Sequence, residues 1–308
     1  MASHHFSSLL FLSGVRMIGI EMDIQLDYQV GAEAADFIFN VHPAHTRCQT
    51  IQAERLELDP PLQTRIDTDP ATGNRYLRLS ADPGPLTLRY TARLHIEHYQ
   101  ASPDQLTEIP VRQLPMEVVP YLYPSRYCQS DRLARLATQE FGQLPPGYPR
   151  VQAIVEWVRA RVSFDWNVSD SSTSAIDTMV AGAGICRDFS HLMIALCRAV
   201  GVPARVATGT DYGAELAPAV PDFHAYVEVY LGGRWYIFDP SGNCIPMGFV
   251  RIGTGRDAAD VAFATIFGEA LGQTPRVRVR ALEDPDHGLV LPYLCRQMLS
   301  TDSGSAPD

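Results

Sequence analysis

The chain contains no lysine; all 25 of its basic residues are arginine. That excludes a lysine Schiff base and a P-loop lysine, and it leaves no lysine amine to attack an acyl-enzyme from within. Basic runs are absent too, and the formal net charge is -10, so neither nucleic acid nor an anionic membrane is an expected partner. Paired cysteines are missing. Cys48, Cys128, Cys186, Cys197, Cys244 and Cys295 are widely spaced with no C-x-x-C, which is neither a disulfide framework nor a zinc-finger spacing. Reduced thiols and a cytoplasmic location are the expectation. The apolar patch Leu9-Leu-Phe-Leu12 lacks a basic flank and is too short for a secretory core or a membrane span. Gly253-Thr-Gly255 reads as a loop and not a dinucleotide fingerprint, because no βαβ unit surrounds it. No cofactor and no metal are expected.

What is present is an ordinary globular composition, 308 residues with 46% apolar and 19% charged side chains, enough for two domains. Residues 1–20 read as an N-terminal extension. From 21 to 100 short alternating runs dominate, as in Met22–Val30, Tyr76-Leu-Arg-Leu and Leu86–Ile96, broken by Asp59-Pro-Pro61, Thr72-Gly-Asn74 and Asp82-Pro-Gly-Pro85. Alternation means strands with one buried face, and their spacing predicts a small all-β sandwich. Prolines at 103, 110, 115, 120 and 124 mark 101–125 as an extended connector. Helices are expected from Arg132 to Phe141 behind a Ser130-Asp131 cap, after Pro149 with a stripe of Val151, Ile154, Val155 and Val158, and from a Thr173-Ser174 cap through Val180. A fourth runs from Cys186 to about Val200, closed by Gly201. Strands follow at Ala204–Thr208, Phe223–Leu231 and Arg234–Phe238. The core is placed at 126–300, with 301–308 a polar tail, and the fold class is α+β.

Chemistry concentrates in Gly184-Ile-Cys-Arg-Asp-Phe-Ser-His191. A glycine-rich turn delivers Cys186 to the first turn of an apolar helix. There the partial positive charge of the helix end and free backbone N–H groups favour thiolate and a developing oxyanion. Downstream, Gly232-Gly233 is a two-residue hairpin signal. Leu231 then faces Arg234, facing residue numbers sum to 465, and Tyr226 lies opposite Asp239. His224 is two positions further out on the same face, roughly 7–8 Å away at Cα. Asp239 is therefore placed to orient one ring nitrogen of His224 and leave the other for a thiol. Trp166 and Asn167 carry N–H donors for a second oxyanion contact.

The Cys186 block, Gly201-Val-Pro-Ala-Arg205, His224-Ala-Tyr-Val-Glu-Val-Tyr230, Trp235-Tyr-Ile-Phe-Asp-Pro240 and Arg251–Val261 together resemble the bacterial transglutaminase-like superfamily. The resemblance extends from about Glu21 over nearly the whole chain. It implies a papain-like core preceded by the family's N-terminal β domain, with Cys186 as nucleophile, His224 as base and Asp239 as its orienting carboxylate. Tyr226 departs from the pattern, since a tryptophan commonly follows His-Ala there; its expected bearing is on substrate fit.

Each residue also has a plainer reading. Cys186 fits an inert buried thiol, His224 a strand histidine and Asp239 a turn-initiating Asp-Pro; their joint occurrence in order argues against all three. Cys197 and His191 read as structural, and Arg187 and Asp188 as local caps or pairs, with a place at the pocket's border as the alternative for either. The expected function is a cysteine-dependent acyl transfer on an amide, through a thioester on Cys186, with hydrolysis of a peptide favoured. The alternatives are an amide-forming acyltransferase that takes an amine acceptor, and a catalytically silent binding module. The partner is a peptide or protein substrate; oligomeric state is left open.

Overall fold

The computed structural model describes residues 17–213 and 223–301. Six strands open the chain: β1 (Ile18–Val30), β2 (Ala35–Phe39), β3 (Gln49–Asp59), β4 (Arg65–Thr68), β5 (Arg75–Ala81) and β6 (Gly84–Ile96). β1 alternates as expected, with Ile20, Met22, Ile24 and Leu26 buried and polar residues between them half-exposed. After a short β7 (Tyr99–Ala101), the proline-rich connector forms three separate 3-10 turns, because each proline blocks continuation of a helix.

The core then supplies α1 (Ser130–Phe141), α2 (Tyr148–Arg161), β8 (Ser163–Phe164), α3 (Ala175–Ala181), β9 (Ala183–Gly184) and α4 (Cys186–Ala199). Next come β10 (Ala204–Asp211), β11 (His224–Leu231), β12 (Arg234–Phe238), β13 (Phe249–Gly255) and α5 (Ala258–Val261). β14 (Ala264–Phe267), β15 (Ala270–Gly272), β16 (Arg276–Leu282) and β17 (Met298–Ser300) complete the chain. Helix bounds match the expectation within a residue or two. Gly201 adopts a left-handed conformation, φ 81°, just past α4, and Val202 N–H donates to the Cys197 carbonyl.

Layering follows from period-two burial in the central sheet, ordered β12-β11-β10-β13. Ala225, Val227, Val229 and Leu231 of β11 join α4 and its neighbouring helices in one apolar cluster. Tyr226, with Ala207, Ile237 and Phe249, joins the cluster of the N-terminal sandwich. The sheet thus lies between helices and sandwich. α4 is buried nearly all round because α1, α2, α3, β10 and β11 all pack against it.

Three expectations need correction. The C-terminal strands do not belong to the core alone: β15 and β16 pair antiparallel with β1, and β14 pairs with β2. The sandwich therefore has a five-stranded sheet and a four-stranded one, each completed from residues 264–282. Arginines alternating along β16 meet acidic partners on β1, Arg280 with Glu21 and Arg276 with Asp27. Second, Gly253-Thr-Gly255 is not a loop but the end of β13. Its glycine serves close packing, since a Cβ on Gly253 would lie 2.7 Å from Asn40 Nδ2. Third, Thr301 is no part of a solvated tail. It is fully buried and donates to Glu228 Oε1 at 2.5 Å, while Arg205 Nε donates to Oε2 at 2.7 Å. The rest of that tail, and residues 1–16 of the expected extension, lie outside the described residues.

Candidate active site

Cys186 opens α4. The Asp188 carboxylate, wholly buried, folds back to accept from Ile185 N–H at 2.9 Å. An acid in the first turn complements the helix end. Arg187 is held by Asp188 Oδ1 at 3.1 Å, by Ser169 Oγ at 3.2 Å and by the Asp170 carbonyl. Both residues thus act locally, as the sequence suggested. One turn beyond the cysteine, Ser190 Oγ donates to the carbonyl of Ala225 at 3.0 Å. This bond ties the face of α4 that carries Cys186 to the strand residue next to His224.

β11 and β12 pair with Leu231 opposite Arg234 and Val227 opposite Phe238, the register expected from the hairpin. Gly232 and Gly233 take positive φ, 55° and 86°, as a tight two-residue turn requires. Asp239 follows the last pair, and its Oδ1 lies 3.7 Å from His224 Nε2, an ion-pair distance longer than a hydrogen bond. Ser241 N–H and Oγ donate to the same oxygen at 2.9 and 2.6 Å, and Cys244 N–H donates to Oδ2 at 3.2 Å. These bonds fix the carboxylate.

Electrostatics bind the set together. Burial alone would lower the His224 pKa, but the charge of Cys186 and contacts with Asp239, Cys186 and Cys244 hold it well above its ordinary value. Burial opposes ionisation of Asp239 as well; His224 and the Ser241 donors outweigh it and set the carboxyl at about 2. The arrangement favours a charged imidazolium beside the Asp239 carboxylate.

The structure adds two groups that sequence reasoning did not single out. Cys244 Sγ lies 3.6 Å from His224 Nδ1. Asp211, at the end of β10, accepts from Tyr226 OH through Oδ1 at 2.8 Å, and its Oδ2 is buried without a hydrogen-bond partner of normal geometry. Burial raises the Asp211 carboxyl to about 7 against the pull of His224 and Tyr226. Neither residue sits in a local motif, and the only sequence signal is that each lies near a strand end beside a recognised block.

Tyr226 is fully buried, edge-on to the His224 ring at 4.6 Å and against Phe249 at 4.5 Å. Its ring and hydroxyl are taken up by His224, Phe249 and Asp211, and it presents no exposed surface. Trp166 and Asn167 lie in a 3-10 turn after β8, whose Phe164 pairs with Gly184 just before Cys186. Trp166 is half-exposed, edge-on to Phe164 at 5.3 Å. Asn167 directs its Nδ2 to Asp165 Oδ1 at 3.0 Å, which takes one of that amide's two N–H donors.

The buried Asp211 makes a signed prediction. An unfolded aspartate ionises above its ordinary value of 3.8, whereas this one stays neutral to about 7. The stability carried by the neutral form is complete below the first value and is lost as pH rises through the second. Asp211→Asn is accordingly expected to stabilise the fold by roughly 2–4 kcal/mol at pH 8, shrinking to about 1 kcal/mol or less near pH 4. Urea unfolding at the two pH values checks this; a variant less stable than the parent at pH 8 contradicts it.

Comparison with known proteins agrees with this architecture. Residues 135–240 match the transglutaminase-like superfamily core, and residues 19–117 match the bacterial transglutaminase N-terminal domain. The crystal structure of a candidate cysteine protease from Cytophaga hutchinsonii superposes with a TM-score of 0.85 at 38% identity, over 92% of this chain and 97% of that one. An uncharacterized Mycobacterium leprae protein is 24% identical over 216 residues, 64% of this chain and 77% of its own length. An uncharacterized protein of Mycobacterium tuberculosis is 32% identical over 101 residues, 29% of this chain and 32% of its own. These relatives support a cysteine-dependent enzyme in general terms. By its core, its N-terminal domain and its end-to-end likeness to a solved relative, the chain belongs to the transglutaminase-like superfamily.

Proposed function

We propose that the protein is a cysteine-dependent acyl-transfer enzyme acting on an amide carbonyl, with water as the usual acceptor. The observation that carries this reading is that Cys186 opens α4, whose Ser190 one turn on is bonded to the Ala225 carbonyl beside His224, while His224 Nε2 faces Asp239. In the first step the Cys186 thiolate attacks the carbonyl carbon, and the helix-end amides receive the oxyanion. His224 then gives its proton to the departing amine, leaving a thioester on Cys186. In the second step His224 takes a proton from the incoming water as it attacks the thioester, the C–S bond breaks, and the acid leaves with the thiolate and the protonated His224 restored. Asp239 keeps the imidazole oriented through both. An amine in place of water makes the same chemistry a transamidation. Tyr226 tunes His224, and the Trp166 segment forms the wall beside the nucleophile.

A glutamine-containing peptide library, incubated with the protein with and without a primary amine and read by intact mass, tests the proposal. The expected result is a transient thioester on the protein and free acid or ammonia-loss products without amine. Products that form only when amine is present would make it a transferase. Absence of any adduct or product across peptides and simple amides would remove the reading.

A further inference from the structure

We propose that Asp211, His224 and Cys244 form a binding site for a thiophilic divalent cation such as Zn2+, and that occupancy of this site disables His224. A carboxylate oxygen, a ring nitrogen and the Cys244 sulfur all lie within 4.8 Å of one another. In tetrahedral zinc sites, with Zn–S about 2.3 Å and Zn–N about 2.0–2.1 Å, sulfur and nitrogen ligands stand about 3.5–3.6 Å apart. The observed separation of Cys244 Sγ and His224 Nδ1 is 3.6 Å. A plain thiol–imidazole contact has the same length, so the distance alone does not decide. Asp211 adds to it: it is only 4% exposed, its Oδ2 is buried without a hydrogen-bond partner of normal geometry, and the Cys244 thiol is in reach of its carboxyl group. Such a carboxylate oxygen costs free energy unless something occupies it.

The outer groups also fit. A metal-bound histidine is usually held through its other nitrogen by a carboxylate, and a ligating carboxylate is itself hydrogen-bonded. Asp239 faces Nε2 at 3.7 Å, and Tyr226 OH donates to Asp211 Oδ1 at 2.8 Å. Charge balances, since one thiolate and one carboxylate offset a divalent ion. On binding, the Cys244 thiol and any proton on Asp211 or on His224 Nδ1 pass to solvent, and the fourth position is left to water. An entry route exists as well: a crevice of about 360 Å3, lined in part by Asp239, Cys244, Tyr293 and Met298, reaches Cys244. With Nδ1 bound to metal, His224 keeps a proton on Nε2 toward Asp239 but can neither take nor give one at Nδ1, so it no longer serves Cys186 as a base. This inhibitory half rests on the function proposed above; the binding half does not.

Titration of the full-length, metal-stripped protein with Co2+ as a spectroscopic probe, and with Zn2+ by calorimetry, tests the site. One equivalent of Co2+ is expected to give a thiolate-to-metal absorption band. Cys244→Ala should abolish the band and weaken Zn2+ at least tenfold. Asp211→Asn should keep the band and weaken Zn2+ about tenfold, and Cys186→Ala should retain both signals. Cys244→Ser and thermal melts of every variant separate lost binding from lost folding. A missing band in the parent protein, or one that survives Cys244→Ala and vanishes in Cys186→Ala, overturns the site. If the band appears as described and no acyl chemistry is found, the enzyme reading falls while the metal site stands.

Discussion

Replacing Cys186 by alanine is expected to abolish the thioester and to lower turnover by about 10^4-fold or more, the scale seen when the nucleophile of an acyl-transfer triad is removed. The variant should fold normally, because the side chain is only partly buried and α4 is held by Asp188, Ser190 and apolar packing on all sides. The same substitution has a readout that needs no substrate. Iodoacetamide at neutral pH should label one thiol of the parent quickly and none of the variant's. Burial pushes the Cys128 and Cys244 thiols up to about 12, raises Cys197 further and raises Cys295. Cys48 is buried. Thiolate is the reactive form, so these five should lag by orders of magnitude. An adduct that persists in Cys186→Ala, or a parent whose Cys186 labels no faster than the rest, would falsify the assignment of the nucleophile.

Much of this site was legible in the chain itself, for reasons that can be located. The Gly232-Gly233 turn sets register by arithmetic, and the register carries Asp239 to His224. A glycine-rich turn ahead of an apolar run sets the start of α4 at Cys186. These are local signals of turn chemistry and period. What was not legible depends on pairings between distant segments. Nothing in Arg276–Leu282 says that its partner is β1 about 250 residues earlier, although the arginine–valine alternation marks it as a strand. Thr301 looks like tail until Glu228 and Arg205 are seen around it. Asp211 and Cys244 come from the end of one strand and the loop after another, and converge only because β10 lies beside β11. Ser190, which sets α4 against β11, looks like any polar residue in a helix until Ala225 is placed opposite it.

Gly209→Ala is expected to be the most damaging single change to the fold near the site. Gly209 faces His224 directly across β10 and β11. On its other side the pairing with β13 shifts register: Thr208 pairs with Gly253, Gly209 with Arg251, and Ile252 is left over as a bulge. At that bulge β13 comes so close that a Cβ on Gly209 would lie 1.8 Å from the Val250 carbonyl oxygen and 2.6 Å from Phe249 Cε2. The first of these atoms is backbone and cannot rotate away, so β13 must move. Phe249 pairs with Asp211 and packs on Tyr226, so the displacement reaches the groups behind His224. A loss of about 3–5 kcal/mol is expected, above the usual cost of overpacking because the clash is with backbone in a buried sheet. Gly233→Ala is the matched control. Nothing lies within 4 Å of its missing Cβ, and its cost comes only from φ 86°, about 1–2 kcal/mol. Urea unfolding of the two variants should separate them by at least a factor of two in lost stability, and the folded fraction of Gly209→Ala should show slowed labelling of Cys186. Equal losses, or a Gly209→Ala protein within 1 kcal/mol of the parent, would mean that strand spacing at the bulge does not hold His224 in place.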